Sequence, residues 1–331
     1  MSYGNPGRGS CAASSLSLSS GQSNSSDQPA LSEISERDKP WDGHRANSDR
    51  IANHYSGTEF QSYSERIRAC AELLDFRLVP EAEHGTYRLK LATARFCHCR
   101  QCIVCAWRRS LAQKARAYKV LPQVVADYPT ARYLFLTLTV RNCEIGDLRE
   151  TLKHMNQSFS RMTKLKAWQP LGYLRTTEVT KGRDGISAHP HLHCLLMVKA
   201  SYFGRNFIRQ DEWVSMWAKA LKVDYKPILD VQALKFKASP VGLLAEIVKY
   251  QCKPNDLVLS DRTWFLELTR QLHRTKAISF GGVLKEYFRE LEEEVTEKEM
   301  IGLGDENEVD EGHLYFGWKK RDQKYRMIDM S

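Results

Sequence analysis

The run His189-Pro190-His191-Leu192-His193-Cys194-Leu195-Leu196-Met197-Val198 constrains this chain more than any other part of its 331 residues. Side chains two apart on an extended strand share a face. His191 and His193 therefore project side by side, while Leu192, Cys194, Leu196 and Val198 project from the opposite surface. The pattern predicts a strand with a core behind it and two imidazoles in front. Neutral imidazole is the commonest protein metal ligand, so two on one face make half of a metal site.

A partner strand precedes it. Gly172-Tyr-Leu-Arg-Thr-Thr-Glu-Val-Thr180 reads as a strand, and Lys181 to Gly185 as the turn of an antiparallel hairpin. Thr176, Glu178 and Thr180 share a face, so a suitable register sets Glu178 across from the imidazoles. Two histidines and a carboxylate with open positions suit a hard or borderline divalent cation. Further strands are expected at Arg132–Arg141 and Ile228–Phe236. Helices are expected at Tyr63–Leu74, Arg108–Val125, Asp147–Trp168, Trp213–Leu221, Pro240–Cys252, Trp264–Leu272 and Val283–Glu294. The fold class is α+β: a central antiparallel sheet flanked by helices.

Of nine cysteines, Cys97, Cys99, Cys102 and Cys105 crowd into nine residues. Such crowding reads as metal binding in a reducing compartment. Cys97, Cys102 and Cys105 have tight knuckle spacing suited to a structural Zn²⁺. The fourth ligand stays open among Cys99, Cys70 and His98. Cys11, Cys143, Cys194 and Cys252 read as ordinary small residues.

The formal net charge is +9, but residues 290–311 hold eleven acidic residues against Lys298 alone. The remainder therefore carries +19, a balance that points to a polyanion partner, nucleic acid first. No apolar run is long enough to span a membrane, and the N-terminus lacks a secretory pattern. A cytoplasmic protein without membrane contact is expected.

The helix opening at Pro240 places Glu246 and Tyr250 four apart, hence on one face, with Lys249 and Lys253 flanking the tyrosine. A tyrosine hydroxyl is a poor nucleophile at its free pKa near 10 and improves when cations stabilise the phenolate. The lysines suit a phosphate backbone.

These pieces, in this order, resemble the replication initiators of small rolling-circle plasmids, the single-tyrosine members of the HUH endonucleases. The resemblance lies in Cys97-His-Cys-Arg-Gln-Cys-Ile-Val-Cys-Ala-Trp-Arg-Arg109, Phe135-Leu-Thr-Leu-Thr139, Arg175-Thr-Thr-Glu-Val-Thr180, His189-Pro-His-Leu-His193 and Glu246-Ile-Val-Lys-Tyr-Gln-Cys-Lys-Pro254. It covers roughly Trp41 to Glu290 and implies the following. His191 and His193 hold Mg²⁺ or Mn²⁺, with Glu178 as third ligand and His189 as its rival. Tyr250 attacks the scissile phosphate, leaving a 5′-phosphotyrosine and a free 3′-OH primer, and Glu246 activates water for the terminating cleavage. Arg108 and Arg109 touch DNA beside the zinc knuckle. The partners are origin DNA, double- and single-stranded, with a host helicase and DNA polymerase, and a homodimer is left open. Ile103, where the family often has proline, and the extra Cys99 depart from the pattern.

The expected organisation is a disordered tail at 1–40, a helical and Cys-rich zinc and DNA-contact region at 41–125, the endonuclease core at 126–290 and a charged tail at 291–331. Two other readings compete. A zinc-containing DNA-binding regulator accounts for charge and cysteines but leaves Glu178, His191, His193 and the tyrosine helix without a role. A histidine-triad nucleotide hydrolase uses alternating histidines but needs no tyrosine or zinc knuckle.

Overall fold

The structure, a computed structural model, describes residues 28–81, 86–234, 254–289, 293–302 and 311–329. Its first elements are α1 (Leu31–Ile34), α2 (Pro40–Tyr55), α3 (Gln61–Arg68), β1 (Leu73–Pro80), β2 (Tyr87–Ala94), α4 (Ile103–Asp127) and β3 (Arg132–Thr139). Then come α5 (Leu148–Met162), β4 (Gly172–Lys181), β5 (Ala188–Val198), α6 (Gln210–Leu221) and β6 (Leu229–Ala233). The last are α7 (Pro254–Leu259), α8 (Arg262–Leu272), β7 (Ile278–Gly282), α9 (Leu284–Tyr287), α10 (Glu297–Ile301), β8 (His313–Lys319) and β9 (Lys324–Ile328). The chain divides into two units, residues 43–71 with 95–303, and residues 1–42 with 72–94 and 304–331.

In the larger unit a five-stranded antiparallel sheet runs β6-β3-β5-β4-β7, with the histidine strand β5 at its centre. Leu134, Leu136 and Leu138 of β3 and Leu192, Cys194, Leu196 and Val198 of β5 are buried on one face. Helices α5 and α6 lie on that side: Leu148, Leu152, Met155, Phe159 and Met162 form the buried stripe of α5, and the Phe159 ring meets Tyr173 of β4 edge-on at 4.9 Å. The opposite face begins as core. Tyr133, Leu174, Leu195, Met197 and Phe280 cluster with Ala117, Leu121 and Val124 of α4 and with Leu284 and Phe288. Beyond Leu195 on that same face come His193 and His191.

The smaller unit is a four-stranded sheet, β2-β1-β8-β9. Its core includes Phe76 against Phe316 and Trp41 against Tyr325, both edge-on. Several boundaries differ from expectation. The predicted helix over 63–74 ends at Arg68, because Ala71 takes a left-handed φ of 50° and donates its N–H to Arg95 O at 2.7 Å, and Leu73 then starts β1. The predicted tail at 1–40 is ordered in its described part, where Ala30 and Leu31 are fully buried. The hairpin β1–β2 belongs to the smaller unit and not to a region continuous with the cysteines. Of the predicted helix 283–294, residues 290–292 lie outside the described residues, and the described part holds the short helix α9.

The predicted charged tail is the largest correction. Residues 313–328 supply β8 and β9, and residues 293–302 lie against α4. Arg116 of α4 makes a two-pronged ion pair with Glu299 at 2.6 Å for each nitrogen. Arg108 donates to the carbonyls of Met300 and Ile301, which have no further turn of helix to accept from. Glu299, within a run that read as solvated, is thus the half-buried partner of an arginine on a helix far back in the sequence.

The Arg116 guanidinium lowers the Glu299 pKa to about 2. A carboxylate with a lower pKa folded than unfolded stabilises the fold fully above its unfolded value and loses that contribution as pH falls toward the folded one. Wild type is therefore expected to lose thermal stability relative to Glu299→Gln between about pH 4.5 and pH 2. Paired melting curves across that window check it, and a gap independent of pH would contradict the ion pair.

Candidate metal centres

The hairpin register decides the first site. His191 pairs with Glu178 on β4 and with Thr139 on β3, and His193 pairs with Thr176 and Thr137. Paired residues lie on one face, so the three expected ligands converge. Glu178 Oε2 stands 3.0 Å from His191 Nε2 and 2.9 Å from His193 Nε2. Glu178 is 6% exposed and His191 8%, so water cannot replace these contacts. Burial raises the Glu178 pKa, but the hydrogen bonds and charges of His191 and His193 outweigh it and bring it down to about 2.

The donor set fits a divalent cation on two counts. His191 Nδ1 lies 3.2 Å from His189 O, and the tautomer that donates there turns its Nε2 lone pair toward the carboxylate. Two acceptors 3.0 Å apart need a proton or a cation between them. Second, Glu178 Oε1 is buried with no hydrogen-bond partner among the described residues. Such an orphaned oxygen is costly unless a ligand completes it.

His189 does not join this group. Its Nδ1 lies 2.7 Å from Asn142 Oδ1, so Glu178 and not the rival His189 completes the three. Sequence reasoning missed the supports. His193 Nδ1 is held by Thr137 Oγ1 at 3.2 Å, and the Phe135 ring stacks on the same imidazole at 5.5 Å. Both lie in the 135–139 motif at alternate positions, a signal that strand periodicity contains once the register is known.

A second group forms around Cys70, one of the candidates left open for the fourth position. The sulfurs of Cys70, Cys97, Cys102 and Cys105 lie within 4.8 Å of one another, and all four residues are buried. Cys70 Sγ is 3.5 Å from Cys105 Sγ and 3.6 Å from Cys102 Sγ, and Cys97 Sγ is 3.5 Å from Cys105 Sγ. These spacings exclude disulfides, whose sulfurs lie near 2.05 Å. Cys99 stays out of the cluster and contributes its N–H to Cys97 Sγ at 3.4 Å instead. Ser48, on α2, accepts from Val104 N–H and sits 3.6 Å from Cys102 Sγ. Burial opposes a thiolate at Cys102, but hydrogen bonds from Cys105, Cys70 and Cys97 hold its pKa well below the ordinary thiol value.

The predicted DNA contacts beside this cluster are otherwise engaged. Arg108 holds the end of α10, and Arg109 donates to the carbonyls of His98, Cys99 and Arg100, closing the cysteine loop. Glu246, Lys249, Tyr250 and Lys253 lie outside the described residues. No helix among the described residues is long and apolar enough to cross a membrane.

Comparison with known proteins sets this geometry in context. The family described as Replication protein matches residues 88–326, which include both clusters except Cys70. The chain belongs to the replication protein family. "Protein rep" of Lactiplantibacillus plantarum is 36% identical over 81% of this chain and 87% of its own length. "Protein rep" of Streptococcus pneumoniae serotype 2 is 32% identical over 82% and 86% respectively. A "Replication protein" of Staphylococcus aureus is 36% identical over 59% of this chain and 89% of its own. No solved structure matches.

Because Thr137 orients the ligand ring without being a ligand, Thr137→Val is expected to weaken Mn²⁺ binding about tenfold or more while leaving the fold intact. Calorimetric titration with Mn²⁺ and a melting curve of the same sample check both halves. Unchanged affinity would show that His193 needs no such support.

Proposed function

We propose that this chain is a plasmid rolling-circle replication initiator, a metal-dependent DNA nickase and strand transferase of the HUH type. The observation that carries the reading is the convergence of Glu178 on β4 with His191 and His193 on the central strand β5 of a replication protein. Two imidazoles and a carboxylate with open positions would suit a hard or borderline divalent cation such as Mg²⁺ or Mn²⁺. A cation held there supplies Lewis-acid polarisation of a phosphate oxygen.

The protein's own groups do the rest. Tyr250 Oη attacks the phosphorus, the P–O3′ bond breaks, and a 5′-phosphotyrosine forms with a free 3′-OH that primes synthesis. Glu246, one helical turn away in sequence, takes the proton of the water that ends a round. Lys249 and Lys253 hold the strand by its phosphates. The net positive charge of the chain outside residues 290–311 supports an origin DNA partner. DNA contact by Arg108 or Arg109 rests on their charge alone.

A labelled single-stranded oligonucleotide carrying the parent replicon's origin, incubated with Mn²⁺ and run on a denaturing protein gel, tests the mechanism. Wild type is expected to carry label at protein mass and Tyr250→Phe to carry none. Origin binding without a covalent band in wild type would sink the nickase and favour a DNA-binding regulator.

The cysteine cluster, in the same proposal, holds one structural Zn²⁺. Its sulfur separations of 3.5–3.6 Å approach the edge of a zinc tetrathiolate, about 3.8 Å for 2.3 Å bonds. Purified protein should contain one equivalent of zinc by mass spectrometry, and Cys102→Ser should lose it while Cys99→Ser keeps it. Zinc loss in Cys99→Ser alone would reassign the fourth ligand.

A further inference from the structure

One polar side chain on the histidine face has no part in the chemistry described above. Thr176 is 2% exposed, and its Oγ1 is buried without a hydrogen-bond partner among the described residues. A buried hydroxyl is rarely left unmatched in a folded protein, because nothing then offsets its loss of water.

The strand register identifies its surroundings. Thr176 stands directly opposite His193 on β5 and Ile278 on β7. Directly opposite residues bring their Cβ atoms to about 5 Å of each other. Along β4, Leu174 and Glu178 are its neighbours on the same face, each about 7 Å away. Leu174 and Ile278 offer no polar side-chain atom. Both His193 nitrogens are engaged, Nδ1 with Thr137 Oγ1 and Nε2 with Glu178 Oε2. What remains is Glu178 Oε1, the other buried oxygen of this face without a partner among the described residues. The carboxylate also leans toward Thr176. Glu178 pairs with His191, yet it reaches diagonally to His193, in the row that Thr176 occupies. The two oxygens are complementary, since a hydroxyl donates and an ionised carboxylate only accepts.

We propose that Thr176 is a positioning residue of the Glu178–His191–His193 centre, acting through one buried water. The water accepts from the Thr176 hydroxyl and donates to Glu178 Oε1, which completes both oxygens. With Oε1 held from behind, Oε2 stays turned to the imidazoles. Thr137 and Thr176, on either side of His193, thus fix two different ligands: one the ring, the other the carboxylate. The proposal rests on the metal-centre reading and adds to it the group that orients the carboxylate.

Thr176→Val removes the hydroxyl and keeps the shape and strand preference, whereas Thr176→Ser keeps the hydroxyl. Calorimetric titration should show Mn²⁺ affinity about tenfold weaker in Thr176→Val and near wild type in Thr176→Ser. Thr176→Ala is the companion variant, and its loss of affinity should match that of valine. Without metal, Thr176→Val should melt at or below wild type, because it strands Glu178 Oε1. A hydroxyl with no partner would instead make the valine variant more stable. Wild-type Mn²⁺ affinity in folded Thr176→Val, or a higher melting temperature than wild type, would overturn the bridge while the metal centre stood. Absence of Mn²⁺ binding in wild type would overturn the metal-centre reading itself.

Discussion

Burying the Glu178 carboxylate costs several kcal/mol unless close hydrogen-bonding partners or a bound cation offset it, and that requirement organises the histidine face of the sheet. Only His191 and His193 stand close enough, and only the register that pairs Glu178 with His191 brings them there. A shift of one residue would send Glu178 into the Leu192–Leu196 face and the histidines away from it. The leucines behind the strand and the carboxylate in front therefore specify the same register. Stability and chemistry are encoded in one alternation.

The cysteine cluster stabilises the same unit from another side. It joins the end of α3, the loop at 95–102 and the first turn of α4, segments too short to build a core of their own. The loop then reaches the sheet. Arg100 donates to Leu272 O at 2.7 Å and to Thr275 O at 2.9 Å, gripping the turn that leads into β7. Strand β7 pairs with β4, and Thr177 N–H, beside Glu178, donates to Ala277 O at 2.8 Å. Hydrogen bonds at either end of the short segment 272–277 thus tie the cysteine loop to the strand that carries the buried carboxylate.

Much of this was legible in the chain. The 189–198 alternation gives a central strand, the Glu178 hairpin gives its partner, and α5 is plain from Leu148, Leu152, Met155, Phe159 and Met162 at helical spacing. These features are local: each rests on the period of one strand or helix. The acidic run before Ile301 misled because charge alone does not show whether an arginine elsewhere will meet it. Glu299 looks solvated until Arg116, 183 residues earlier, is brought beside it. The helix read across 63–74 failed for a related reason, since the left-handed turn at Ala71 is fixed by Arg95 O, a distant acceptor.

By itself the sequence determined the α+β class, the histidine face and the cluster of thiols, because residue spacing dictates which side chains share a surface. Tertiary structure decided what closes each site. It grouped Glu178 rather than His189 with His191 and His193, and Cys70 rather than Cys99 with Cys97, Cys102 and Cys105, set Thr137 and Ser48 beside them, and drew 313–328 into a sheet. These outcomes depend on contacts between segments far apart in the chain. Distance through space, set by how whole elements pack, is the one quantity that local periodicity does not contain.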